Sequence, residues 1–122
     1  MAIRAVSLTG SVEATSRSNF LSAPIMQRHR PVAVLVWASA SETGSSFSVF
    51  LTKSDTPVPE PQVGDPNAFE LLNIQTYGTN VFSTPLGLTT SVDPPVRFAF
   101  SFYNAAASAA TVVATYIYET EV

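Results

Sequence analysis

The single histidine of the chain, His29, sits between Arg28 and Arg30 and two residues before Pro31. An imidazole is the side chain best suited to move protons near neutral pH, so it is the first place to look for acid–base chemistry. Two flanking guanidiniums lower an imidazole pKa, and no acid stands nearby in sequence to orient the ring. A Ser-His-Asp arrangement assembles through space, but no Gly-x-Ser-x-Gly elbow accompanies this histidine. His29 therefore reads as an exposed loop residue. Arg28 and Arg30 suit a different task, because paired guanidiniums can clamp a carboxylate on a partner, or a phosphate. The plainer alternative is two solvated arginines flanking a strand.

The other reactive groups are sparse. Three Asp and six Glu are scattered, without the alternate-position spacing of a calcium loop. Asp65-Pro66-Asn67 reads as a turn, and Glu119 with Glu121 as a solvated strand end. The five glycines are isolated, which leaves no phosphate-cradling loop. There is no cysteine, hence no disulfide scaffold, thiolate metal site or cysteine nucleophile. No cofactor is expected. A net charge of −3 disfavours nucleic acid as a partner, since phosphate backbones call for a basic face.

The elements that must carry these residues are strands. Ser and Thr number 15 and 13, Val 14 and Ala 15, against a single lysine, Lys53. Thr, Val, Phe and Tyr suit a pleated, half-buried surface, whereas the long charged residues that coat exposed helices are nearly missing. Charged residues are 12% of 122, about half the usual share, so little repulsion keeps copies apart. That surface suits a subunit packed against others; a secreted or ordinary β-domain is the competing reading.

Alternation starts at once, over residues 3–14, with Gly10 marking a bulge or bend. Residues 16–19 read as a turn and 20–26 as a short strand. The run 32–40 is apolar on both faces, as in a strand covered from two sides. A turn at 42–45 returns it into residues 46–53, which predicts an antiparallel hairpin. Residues 55–67 hold Pro57, Pro59, Pro61 and Pro66, which excludes both ladder and helix and predicts an extended arm at about 55–68. Residues 69–76 form a further element with a helical turn allowed, 77–80 a turn, 81–83 a short strand, and 85–95 a loop with a strand near 88–92. Val96, Phe98, Phe100 and Phe102 alternate with Arg97, Ala99, Ser101 and Tyr103, a strand with one face on a core. Residues 111–120 alternate likewise. Seven or eight strands in one domain over residues 1–122 predict an all-β, two-sheet antiparallel sandwich, jelly-roll or immunoglobulin-like.

No basic start followed by an apolar run is visible, and the longest apolar run, residues 32–38, is far short of a membrane span. The expectation is synthesis in the cytoplasm, with no membrane partner. Residues 1–54 carry a charge of +3 and residues 55–122 carry −6, which would give head-to-tail contacts between copies if the halves form separate faces. The proline arm, with Pro57, Pro59 and Pro61, is already extended and orders cheaply on a neighbour. The uncharged tip 105–110, with Ala106 and Ala107, permits close approach, and Asn104 is placed to cap a single helical turn there. The aromatic stripe reads as core, although a sugar-stacking platform is the competing use.

The strand patterns at 32–40 and 96–103, the proline arm and the alanine tip together resemble the β-sandwich or jelly-roll decoration (cement) proteins of tailed bacteriophages. The resemblance covers the chain in style and rests on no diagnostic motif. It implies a non-enzymatic virion protein that bridges neighbouring major capsid subunits, as a homo-oligomer and by family habit a trimer. Another virion part (neck, tail or head fibre) is the alternative within this class, and a carbohydrate-binding β-sandwich module the alternative outside it. On this reading Arg28, Arg30, Pro57, Pro59, Pro61, Ala106 and Ala107 are the contact residues.

Overall fold

A computed structural model describes residues 2–39, 42–57, 68–74, 81–85 and 91–121. The described residues form eight strands: β1 (Ile3–Val12), β2 (Ser16–Ile25), β3 (His29–Ala38), β4 (Ser46–Thr52), β5 (Ala68–Ile74), β6 (Val81–Pro85), β7 (Val96–Asn104) and β8 (Ala110–Thr120). They make two four-stranded sheets, ordered β1-β8-β3-β6 and β2-β7-β4-β5, with every pairing antiparallel. The first strand pairs with the last, the second with the seventh, the third with the sixth and the fourth with the fifth. That is one long hairpin rolled upon itself, the strand order of a jelly roll, and it selects this topology over the immunoglobulin-like alternative. Among the described residues no helix is long and apolar enough to cross a membrane.

Period-two alternation builds the core. Phe98, Phe100 and Phe102 of β7 and Phe47, Val49 and Leu51 of β4 face Val34 and Val36 of β3 and Val112, Ala114 and Tyr116 of β8, all buried. The Phe98 and Tyr116 rings stack across the two sheets, with centroids 5.3 Å apart and planes at 15°. Each ring so buried contributes about 1.5–3 kcal/mol.

Several expectations are corrected. β3 and β4 do not form a hairpin; the connection after Ala38, with Gly44 at φ 101°, carries the chain from one sheet to the other. Residues 16–19 are strand, because the turn comes earlier and is made by Thr15 at φ 51°. Of the element expected at 69–76, Ala68–Ile74 is strand, and residues 75–76 lie outside the described residues. Gly10 makes no bulge: its register with Val112 is regular, and its missing Cβ leaves room for the Phe20 ring, which stacks on Phe100 at 4.4 Å. β7 is not one-faced, since Ala99 and Ser101 are as buried as its phenylalanines.

The two halves of the sequence do not form separate faces either. Each sheet alternates strands from the first half with strands from the second, so the +3 and −6 halves interleave. The residues at 77–80 and the strand expected near 88–92 lie largely outside the described residues. Of the latter, Val92 makes an isolated bridge to His29.

Candidate contact surfaces

The strand directions sort the loops into two ends. One end gathers the chain start, the β2–β3 link, the residues after β4, the residues before β7, and the chain end. Four of the five arginines, Arg4, Arg28, Arg30 and Arg97, lie at this end with Lys53. The opposite end holds the β1–β2 turn, the β3–β4 connection and the alanine tip.

At the charged end, His29 opens β3 and is fully buried, which corrects the exposed-loop expectation. Its backbone N–H donates to Val92 O at 3.2 Å, and Val92 N–H donates to His29 O at 2.7 Å. Its Nδ1 lies 3.0 Å from Gln27 O, and its Nε2 lies 2.8 Å from the Tyr116 hydroxyl. A carbonyl only accepts, so Nδ1 carries the proton and Nε2 accepts from the Tyr116 O–H. Burial lowers the His29 pKa, opposed by the Gln27 hydrogen bond and the Glu121 charge, while burial raises that of Tyr116. Both groups stay neutral near pH 7. Tyr118 lies against the imidazole at 4.6 Å between centroids. Sealed and with both nitrogens engaged, this imidazole fixes the β2–β3 corner.

Arg28 and Arg30 are exposed in part, and both are already engaged by carboxylates from the other half of the sequence. Arg28 Nε is 3.1 Å from Asp93 and its Nη1 is 3.5 Å from Glu121; Arg30 bonds Glu119 across the β3–β8 ladder. Ser91 donates to the same Glu121 carboxylate. Pairs this exposed contribute at most about 1 kcal/mol each. A partner's carboxylate or phosphate would have to displace these acids. Among the described residues this end also holds two shallow concavities of about 310 and 210 Å³, which share Lys53 and Val96; Pro24, Met26, Pro95 and Arg97 line the first, and Phe69, Val92 and Asp93 the second. Met26 is 66% exposed. Pro57 is exposed, whereas Pro59 and Pro61 lie outside the described residues.

At the opposite end the alanine tip is bound to its own molecule. Asn104, fully buried, donates from Nδ2 to Val12 O and Glu13 O, each at 3.2 Å, and to Ser108 O at 2.9 Å; its Oδ1 accepts from Ala106 N–H at 3.0 Å. Thr15 N–H donates to Ala106 O, and Ala105 N–H to Ser45 Oγ. Ala106 is consequently buried and offers no surface, while Ala107 is exposed. Asn104 closes this end by joining two turns, where sequence reading placed it as a helix cap; the local cue, an Asn before a run of small residues, fits both roles.

The feature that sequence reading missed is the outer face of the first sheet. Ser7, Thr115 and Leu35 form one cross-strand row, and Thr9, Val113 and Trp37 the next. The rows hold no charge, and the Ser7 and Thr115 hydroxyls bond each other at 2.8 Å. The first charged row is Ile3, Glu119 and Arg30, at the rim. Only strand order reveals this face, because its members come from three distant segments. Among the described residues, no three His, Cys, Asp or Glu side chains gather as they would to hold a metal ion.

Comparison with known proteins adds little to this geometry. No family model matches the chain, and no curated protein matches it. Among solved structures, a periplasmic inhibitor of g-type lysozyme from Aeromonas hydrophila is similar at 15% identity and a TM-score of 0.44, over 93% of this chain and 85% of that one. The VP2 subviral particle of infectious bursal disease virus is similar at 14% identity and a TM-score of 0.27, over 97% of this chain and 42% of that one. The Gx strain of the same virus gives 13% and 0.25, over 98% and 40%. The chain thus spans less than half the length of the viral chains. Likenesses this distant assign no function, and the jelly-roll description rests on strand order alone.

Proposed function

We propose that this chain is a non-enzymatic structural subunit of a virion, a capsid decoration protein that bridges neighbouring major capsid subunits. The observation that carries the reading is the uncharged outer face of the first sheet, across the rows of Ser7–Thr115–Leu35 and Thr9–Val113–Trp37. Small hydroxyl side chains and a few half-buried apolar ones permit close packing without desolvating charge. The sealed state of His29 supports the same reading, because the one imidazole is spent on holding a corner. Many such weak contacts, repeated over a lattice, sum to firm attachment.

Co-sedimentation tests this role. Purified protein is mixed with shells assembled from the major capsid protein encoded in the same genome. Saturable binding at a fixed number of copies per shell is expected, weakened by Thr9→Glu and by Ala107→Glu. Shells that pellet without the protein would overturn the reading, and a glycan array that binds the free protein would favour the carbohydrate-binding alternative.

A further inference from the structure

Among the described residues four strands lie at sheet edges: β1 and β6 in the first sheet, β2 and β5 in the second. An edge strand turns a row of N–H and C=O groups outward, ready to pair, and proteins usually blunt it with proline, a bulge, brevity or charge. Three of these edges carry such a device. The β2 register slips between Leu21 and Pro24, and Pro24 has no N–H to offer. The β5 ladder shifts opposite Val49 and Phe50, and β5 carries Glu70. β6 has five residues and ends on Pro85.

β1 carries none. Its ten residues pair with β8 in unbroken register, from Ile3 opposite Glu119 to Val12 opposite Ala110. It contains no proline, and Arg4 is its only charge. Every second residue of such a strand directs its backbone groups away from the neighbour it already has. Ile3, at its start, is 62% exposed.

We propose that β1 is a homotypic pairing edge: two copies join antiparallel through β1 about a two-fold axis, so that their first sheets become one eight-stranded sheet. The occupant is a second copy because the strand is complementary to its own reverse. A register centred on Ser7 sets Val6 against the partner's Leu8 on the core side, where both positions already pack on the hydrophobic cluster. On the outer side it sets Ala5 against the partner's Thr9, and Ile3 against the partner's Ser11. Arg4 faces the partner's Gly10, so the strand's one charge meets no like charge. A two-fold junction of this kind closes, presenting the same residues from both sides. It also merges two uncharged outer faces into one broader surface. The inference goes beyond the capsid reading and stands without it.

Sedimentation velocity of the full chain, with hydrogen exchange of the β1 amides, tests the junction. The wild type is expected to dimerise, with alternate β1 amides exchanging more slowly as concentration rises. Ala5→Lys with Thr9→Lys sets lysines opposite each other across the axis, and Ala5→Glu with Thr9→Glu does the same with acids. Both positions are exposed on the single copy, so its fold, read by circular dichroism, stays intact. Each variant alone is expected to associate at least tenfold more weakly, and a mixture of the two to recover wild-type association. Should either double variant fail to fold, Ser7→Lys alone serves the same purpose. A wild type that stays monomeric up to about 1 mM, variants that associate as the wild type does, a mixture that stays apart, or open-ended aggregation in place of a dimer would each overturn the proposal. Dimers that ignore capsid shells would count against the decoration role alone.

Discussion

His29 Nε2 accepts a hydrogen bond from the Tyr116 hydroxyl at 2.8 Å, inside the sandwich and across the β3–β8 ladder. The two residues are 87 positions apart in the chain. Their bond decides the imidazole tautomer and holds the start of β3 against the C-terminal strand.

Tyr116→Phe keeps the ring stacked on Phe98 and removes only the hydroxyl. It leaves Nε2 buried with no donor, so a loss of about 1–3 kcal/mol is expected in chemical denaturation, with an unchanged denaturant slope. A loss within error would show that the hydroxyl and the nitrogen are solvated in the fold.

Stability should fall on mild acidification. The unfolded imidazole titrates near 6.5, and burial lowers the value in the fold. Between the two the unfolded chain binds more protons, so the stabilisation is complete above about pH 6.5 and is lost as pH falls towards the folded value. The slope in that window is at most about 1.4 kcal/mol per pH unit. Urea titrations between pH 7 and pH 5 measure it, and His29→Gln should remove this component of the slope.

Asn104→Ala should open the end of the sandwich opposite His29. It strips donors from the Val12, Glu13 and Ser108 carbonyls and an acceptor from Ala106 N–H. A loss of about 2–3 kcal/mol is expected, with faster amide exchange in the 13–15 and 105–108 turns. Asn104→Asp keeps the acceptor and loses the donors, so it should rescue little.

Gly10→Ala tests the close approach of β1 and β2. A Cβ there overlaps the Phe20 ring, which must then leave its stack on Phe100. A cost of about 1–3 kcal/mol is expected, partly relieved by Phe20→Leu in the same chain. Additive losses in the double variant would mean that the two positions do not share the space.

Local pattern carried much of the architecture. Alternation over residues 96–103 and 111–120 located β7 and β8, and the apolar run at 32–40 located β3, because side-chain period depends only on a strand's own pleat. The cover expected on both faces of that run is corrected, since Val34, Val36 and Ala38 are buried while Leu35 is exposed on the outer face. Residues 16–19 were missed because Ser, Arg and Asn there resemble turn chemistry, whereas in the fold Arg17 and Asn19 bond Ser101 of the paired strand. The Gly10 bulge was a fair inference from one glycine in a strand, but the ring it accommodates comes from another sheet.

Contact residues were less legible. Ala106 looked exposed because small uncharged residues crowd its neighbourhood, yet Asn104 draws its backbone inward. Arg28 and Arg30 looked free because their acids stand far along the chain.

The amino-acid order by itself determined the strand content, the apolar residues that had to be covered, and the dearth of charge, all properties of neighbours along one chain. Tertiary structure alone decided which strands share a sheet, where the interleaved charges meet, that His29 is sealed, and that β1 lies at the edge of its sheet. Those outcomes depend on pairings between residues as distant as Ile3 and Glu119, which alternation cannot specify because every antiparallel sandwich has the same period.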